Sequence, residues 1–298
     1  MNVAGVDLGT NTTRLLVADV VDGRVEELHR ESRITRLGEG VDARRRLLPL
    51  PIARVRNTLT DYRRTADSLG AERTLLVATS AVRDAENGEA FLGEIEWSYG
   101  FTTQLLSGDE EAELTRRGVG KLGSETLLVD LGGGSTELVL DGFHTSLPMG
   151  SVRFTERYAD DAAASLEAAR TLLPELEPED AVGVAATITT IAALDLGLAD
   201  HDRERVDGHV LTRDGARAQL ERLAALSLEE RRRVPALEPE RAPVIVAGAA
   251  ILVAILDAYG MKAIRVSERD LLDGAALAAA ELPEPEEGAA PPGAYTCC

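Results

Sequence analysis

Apolar positions along the chain fall into short runs that alternate with longer helical patterns. Val3–Leu8, Leu15–Val20, Thr74–Ala78, Thr126–Leu131 and Glu137–Leu140 are rich in Val and Leu and end at Gly or Asp, which predicts strands. Ile52–Leu69, Glu110–Val119, Ser165–Leu173, Arg213–Leu226 and Pro243–Tyr259 carry the longer spacing of helices. Strands interleaved with helices indicate an α/β fold. From Pro283 the sequence PEPEEGAAPPGAYTCC has four prolines and little to bury, and reads as a loose tail.

The pattern repeats. Residues 7–17 read DLGTNTTRLLV and residues 130–140 read DLGGGSTELVL, and Asp, Leu, Gly, Thr and Leu coincide at an offset of 123, with Thr12 on Ser135. Each segment predicts a strand ending in an acid, a tight Gly turn carrying hydroxyls, and a second strand. Two such copies in 298 residues predict two related lobes, each presenting one hairpin loop. The lobes are placed at residues 1–117 and 118–282, the last helix being a candidate to pack back on the first lobe, with 283–298 as a flexible tail.

The chemistry of such loops is anion binding. A Gly-rich turn exposes consecutive backbone N–H groups and admits an anion closely, and Ser and Thr hydroxyls add donors. Thr10, Asn11, Thr12 and Arg14 in the first loop, and Gly132, Gly133, Gly134, Ser135 and Thr136 in the second, form two candidate phosphate cradles. Asp7 and Asp130, at the strand ends, suit a hydrated Mg²⁺, which takes one or two carboxylates plus phosphate oxygens. An ordinary hairpin turn explains either loop taken alone; the paired repeat favours the functional reading.

Three further segments carry candidates. In TSAVRDAEN (79–87), Arg83 follows a strand C-terminal end, where α/β sheets place ligands; a surface Arg opening a helix is the alternative. In SGDEEA (107–112), Ser107 and Glu110 fit a capping box, which leaves Glu111 either on a solvated acidic helix face or near a phosphate, where it accepts a proton from water. Glu137 has a stronger case, because it stands where Arg14 stands in the other copy. Val184–Leu194 is a small-residue turn entering a helix, explained equally by anion binding and by core packing.

Composition narrows the partners. With 44% hydrophobic residues the chain buries a core, and 51 acidic against 32 basic residues give a net charge of −19. That excludes a general nucleic-acid binder or an anionic-membrane protein, which need cationic surface. The basic residues are 30 Arg and only Lys121 and Lys262, and the first 64 residues are net +3, with 12 Arg against 9 acids. The only cysteines, Cys297 and Cys298, are adjacent and can neither staple a fold nor make a metal motif. There is no basic-then-apolar leader, and the longest apolar run, Val244 to Leu256, falls short of the ~20 residues that span a bilayer, so a cytoplasmic protein is expected.

DLGTNTTRLL, TSAVRDAEN, SGDEEAEL, DLGGGSTELVL and VSERDLLDGAAL, in this order from about residue 3 to residue 280, resemble the exopolyphosphatase/guanosine pentaphosphate phosphatase (Ppx/GppA) family, in its short two-lobe form. The resemblance implies two actin-like (ribonuclease H-like) lobes with a central interdomain cleft. It implies Mg²⁺-dependent (or other divalent-cation-dependent) hydrolysis of a terminal phosphoanhydride, with K⁺ as a further candidate ion and a homodimer as a candidate assembly. Glu111 matches the family's catalytic glutamate, Asp130 and Glu137 its acidic pair for metal or water, and Gly9 to Asn11, Arg14 and Arg83 its phosphate contacts. The departures are Ala185-Ala186-Thr187 where the family commonly has Gly-Gly-Thr, and Glu268 and Asp270 where many members carry Asp and Gly. Inorganic polyphosphate is the expected substrate. Guanosine pentaphosphate is the runner-up, and an actin-fold ATPase or kinase and a non-catalytic polyphosphate- or nucleotide-binding regulator are the remaining alternatives.

Overall fold

The computed structural model describes residues 1–283, so the tail expected beyond them, with Cys297 and Cys298, lies outside the described residues. The chain forms two compact units, one of Met1–Gly118 joined by the chain from Leu271, the other of Val119–Asp270. The boundary expected at residue 282 thus falls after a helix that belongs to the first unit.

In the first unit a five-stranded sheet is built from β1 (Asn2–Leu8), β2 (Thr12–Val21), β3 (Arg24–Ile34), β4 (Arg73–Ala78) and β5 (Thr102–Leu105), in the order β3-β2-β1-β4-β5. β1 runs antiparallel to β2 and parallel to β4. Val3, Ala4, Val6 and Leu8 are all fully buried because β1 is central and covered on both faces. β3 was not among the predicted strands, although Asp22-Gly23, both at positive φ, make the two-residue turn that marks a hairpin. Helix Pro49–Ser68 starts with proline, whose missing N–H is no loss there, and covers one face with Val55, Leu59, Tyr62 and Ala66.

Helix Leu271–Ala280 covers the other face, packing on Val3, Leu16, Ala18, Leu75 and Val77. It approaches backbone to backbone on two sides. A methyl on Gly5 of β1 would lie 2.9 Å from the Ala276 nitrogen, and one on Gly274 would run into the Leu114 carbonyl of helix Gly108–Val119. Polar ties reinforce the seat: Arg30 donates to Asp273 at 2.9 Å and Arg73 to the Ala280 carbonyl at 3.0 Å.

The second unit repeats the plan with β6 (Thr126–Leu131), β7 (Thr136–Leu140), β8 (Phe143–Leu147), β9 (Asp180–Val184), β10 (Val210–Thr212) and β11 (Ala263–Val266), in the order β10-β11-β9-β6-β7-β8. Read from β8, the order β8-β7-β6-β9-β11 matches β3-β2-β1-β4-β5 strand for strand and direction for direction, and β10 is an added antiparallel edge. Its core is helix Ile245–Ala258, apolar all round and buried from Ile245 to Leu256. This is the longest apolar run of the sequence, spent on a core; no helix of the described residues is long and apolar enough to cross a membrane.

The glycine contacts predict a sharp contrast between two substitutions. Gly274→Ala should lower stability by about 2–3 kcal/mol, because two backbones must separate. Gly93→Ala, in helix Gly88–Tyr99 with open space around it, should raise stability by about 0.5–1 kcal/mol. Urea midpoints at constant m-value test both; equal effects would refute the packing argument.

Candidate active site

The two hairpin loops fold alike because one hydrogen bond closes each: Gly9 N–H to the Thr12 carbonyl at 3.1 Å, and Gly132 N–H to the Ser135 carbonyl at 3.0 Å. A side chain on either glycine would press on that same carbonyl, which accounts for glycine at both positions. In the first loop the carbonyls are tied backward. Thr10 O accepts from Gly38 N at 2.8 Å, and Asn11 O accepts from Thr35 N and Arg36 N at 3.0 and 2.9 Å. In the second, Gly133 O accepts from Val152 N and Arg153 N, and Gly134 O from Arg153 Nε at 2.6 Å.

With their carbonyls engaged, the loops present their N–H groups. Those of Thr10, Asn11, Gly133 and Gly134 donate to no described residue, at positions that correspond across the repeat. Asn11 goes further: its side chain is 6% exposed, and neither its amide oxygen nor its amide nitrogen has a hydrogen-bond partner. A buried polar group left unsatisfied costs about 1–3 kcal/mol, so a ligand that accepts from it recovers that energy. N–H groups left in this way can serve as an anion nest.

Tertiary contacts then join the separate motifs of the first unit. Thr10 Oγ1 lies 2.9 Å from Ser80 Oγ, which brings the TSAVRDAEN segment to the loop. From the short helix Ser80–Arg83, Arg83 Nη1 donates to the Leu106 carbonyl at 2.6 Å and to Glu111 Oε2 at 3.2 Å. Glu111 is buried in the first turn of helix Gly108–Val119, while its neighbour Glu110 closes the capping box with Ser107, accepting from Ser107 N at 2.8 Å. The backbone and side-chain bonds from Ser107 hold the Glu110 carboxyl below its usual range. One glutamate thus caps, and the other faces Arg83.

Asp7 and Arg14, assigned separately to metal and phosphate from the sequence, are partners of each other. They are paired across β1 and β2, and Asp7 Oδ2 accepts from Arg14 Nε at 2.8 Å and Nη2 at 2.7 Å. The same register position in the second unit pairs Asp130 with Glu137, both buried. Ser146 on β8 donates to Glu137 Oε1 at 2.6 Å. Two carboxylates facing each other across a strand pair repel, and a cation relieves that repulsion. No cage of three or more His, Cys, Asp or Glu exists among the described residues. A two-carboxylate donor set is what Mg²⁺ uses when substrate oxygens and water complete its shell, so the residues fit a divalent cation.

Sequence reasoning did not single out Ser80, Gly38, Gly150, Ser146 or Arg153. Gly38 and Gly150 press on the backs of the two loops, against Thr10 and against the Gly133–Gly134 backbone. They follow the third strand of each unit, so the repeat extends to them although the surrounding residues do not match. Ala185, flagged as a departure, opens helix Ala185–Asp195 at φ 69°, a left-handed conformation that favours glycine.

Two substitutions test these readings. Asn11→Leu removes the unsatisfied amide, so stability should hold or rise by about 1 kcal/mol, while the melting-temperature increase caused by added pyrophosphate is lost. A stability loss with the shift retained would show that Asn11 is merely structural. Ala185→Gly should add about 0.5–1 kcal/mol, the left-handed strain relieved less the extra chain entropy of glycine, as read by urea midpoint.

A model of the Ppx/GppA phosphatase family matches residues 16–281. Exopolyphosphatase 2 of Mycobacterium tuberculosis is 39% identical, the alignment covering 93% of this chain and 98% of that protein. The guanosine-5'-triphosphate,3'-diphosphate pyrophosphatase of Vibrio vulnificus is 32% identical over 92% of this chain, but over 58% of its own length. The crystal structure of the Aquifex aeolicus Ppx/GppA family member superposes with a TM-score of 0.77 at 28% identity, covering 93% of this chain and 97% of that one. The repeated α/β units are therefore the two lobes of that actin-like fold. Matched by the family model over residues 16–281 and by a 39% identical relative over nearly its whole length, the chain belongs to the Ppx/GppA phosphatase family.

Proposed function

We propose that this phosphatase is an exopolyphosphatase, hydrolysing the terminal phosphoanhydride of inorganic polyphosphate and releasing orthophosphate. The observation that carries the reading is the pair of loops whose carbonyls are tied back and whose N–H groups stand without acceptors, the first of them linked through Ser80 and Arg83 to a buried glutamate. Such loops recognise phosphoryl oxygens and ask nothing of a base or sugar.

In this mechanism Glu111 accepts a proton from the attacking water as its oxygen bonds to the terminal phosphorus. The bridging P–O bond breaks, and the shortened chain departs as an anion. Arg83 orients the Glu111 carboxylate through Oε2. Backbone N–H groups of the first loop and the Asn11 amide meet the charge spread over the transferred phosphoryl oxygens. Asp130 and Glu137 would hold a divalent cation, Mg²⁺ in this proposal, which would supply charge neutralisation to phosphate oxygens.

The near-full-length match to an exopolyphosphatase supports polyphosphate as substrate. The second reading, a guanosine pentaphosphate 5′-phosphatase, is favoured by the Vibrio vulnificus relative. Against it stand the methyls of Ala185 and Ala186, which crowd a helix entrance that glycine would leave open to a ligand.

Glu111→Gln keeps an oxygen for Arg83 and removes the proton acceptor. It should lower kcat about 10²–10⁴-fold on polyphosphate with Mg²⁺, with the fold intact by circular dichroism. Near-normal turnover would remove Glu111 from the mechanism. Phosphate release from polyphosphate, guanosine pentaphosphate and ATP at equal concentration decides the substrate; faster release from either nucleotide would overturn the proposal.

A further inference from the structure

A polyanion binding to a protein of net charge −19 needs local cations that are not already neutralised. Most arginines of the first unit are committed: Arg14 to Asp7, Arg33 to Asp61, Arg54 to Glu39, Arg56 to Glu94 and Arg83 to Glu111. Arg44, Arg45 and Arg46 differ. All three are exposed, Arg44 and Arg46 make no side-chain hydrogen bond or ion pair with any described residue, and Arg45 reaches only Asp84, at 4.0 Å.

Their position is set by the residues on either side. The segment 35–47 starts on the first loop, where Thr35 and Arg36 donate to the Asn11 carbonyl and Gly38 lies against Thr10. It ends on the turn that follows Arg83. There Asn87 makes paired bonds with the Leu47 backbone, at 2.8 and 3.1 Å, and Glu86 N donates to the Arg45 carbonyl at 2.8 Å. The strap therefore joins the anion nest to the arginine that holds Glu111, and it carries three consecutive exposed guanidinium groups.

The backbone fixes where the arginines stand. Arg45, at φ 53°, is the left-handed cap that ends the short helix Val41–Arg44, its N–H donating to the Val41 carbonyl at 2.8 Å.

We infer that Arg44, Arg45 and Arg46 form a distal anion subsite that holds the non-reacting phosphates of a linear polyanion whose end lies in the first loop. The inference rests on the exopolyphosphatase reading and adds to it a preference for long chains. Guanidinium groups suit the role because each presents a planar fork of donors that fits successive phosphates without a fixed register.

The test compares long-chain polyphosphate with tripolyphosphate in the full-length protein with Mg²⁺. In the Arg44→Ala/Arg46→Ala double variant the ratio of kcat/KM for long over short chains should fall about tenfold, through KM for the long chain. Arg45→Asn, which relieves the positive φ while removing the cation, should move the ratio the same way without loss of fold. Arg24→Ala is the charge control, since Arg24 starts β3 at the end of the hairpin remote from the loop. A ratio within twofold of wild type, or an equal fall in the Arg24→Ala control, would overturn the subsite. Affinity for long-chain polyphosphate, measured by filter retention without divalent cation, separates the two proposals. Weakened binding in the double variant of a protein that hydrolyses neither chain keeps the subsite and removes the enzyme reading. Hydrolysis of both chains with binding and ratio unmoved does the reverse.

Discussion

The geometry of the first unit depends on one steric constraint: helix Leu271–Ala280 touches two other backbones at once. Gly5 lets it reach β1 four residues before the turn glycine Gly9, and Gly274 lets it reach Leu114 three residues after Glu111. The loop that offers N–H groups and the helix that offers the carboxylate are thus registered against a common third element. Side chains on either glycine would transmit an ångström-scale displacement to the loop and to Glu111, and the proposed mechanism, which relies on positioned groups, is sensitive at that scale. A segment more than a hundred residues away in sequence therefore sets the relation between the motifs at 7–14 and 107–112.

The internal repeat shows how one hairpin acquires two chemistries. Asp7 and Asp130 occupy the same place, and so do their cross-strand neighbours Arg14 and Glu137. An arginine in that place neutralises the acid and leaves the loop's N–H groups as the dominant feature. A glutamate doubles the formal negative charge at that place instead. Backbone hydrogen bonding is indifferent to the exchange, since Gly9 and Gly132 close their turns alike. The scaffold is common to both units; the charge at one register position differs between them.

What the sequence made legible follows from the range of the interactions involved. The β1–β2 and β6–β7 hairpins, the Glu110 cap and the buried helix Ile245–Ala258 rest on spacings within one segment, and their patterns survive in the linear chain. β3 and β8 left the same kind of signal, Asp-Gly at 22–23 and 141–142, but the alternation of β3 is blurred by exposed charged residues and β8 is five residues long with no buried position. Ser80, Gly38 and Gly150 belong to the site through contacts across many residues, and nothing local distinguishes them from other serines and glycines. Asn11 was legible as a donor. Its burial without a partner was not, because that depends on how Thr35, Arg36 and Gly38 fold over the loop.

Charge argues in the same direction. An excess of carboxylates in a folded chain means that an arginine placed anywhere on the surface tends to find an acid, and in this protein most do. Ion pairs of this exposed kind contribute little to stability, so their main effect is to cancel the field of the arginines that form them. The net acidity then acts as a filter: a guanidinium group keeps an attractive field only where the backbone holds it away from carboxylates. At Arg44 and Arg46 the holding is done by Asn87 and by a left-handed turn at Arg45, which itself reaches Asp84 only at 4.0 Å. Screening at physiological salt limits the repulsion from the remaining charge to about 8 Å, so an approaching chain of phosphates responds to the strap and the loops rather than to the total of −19.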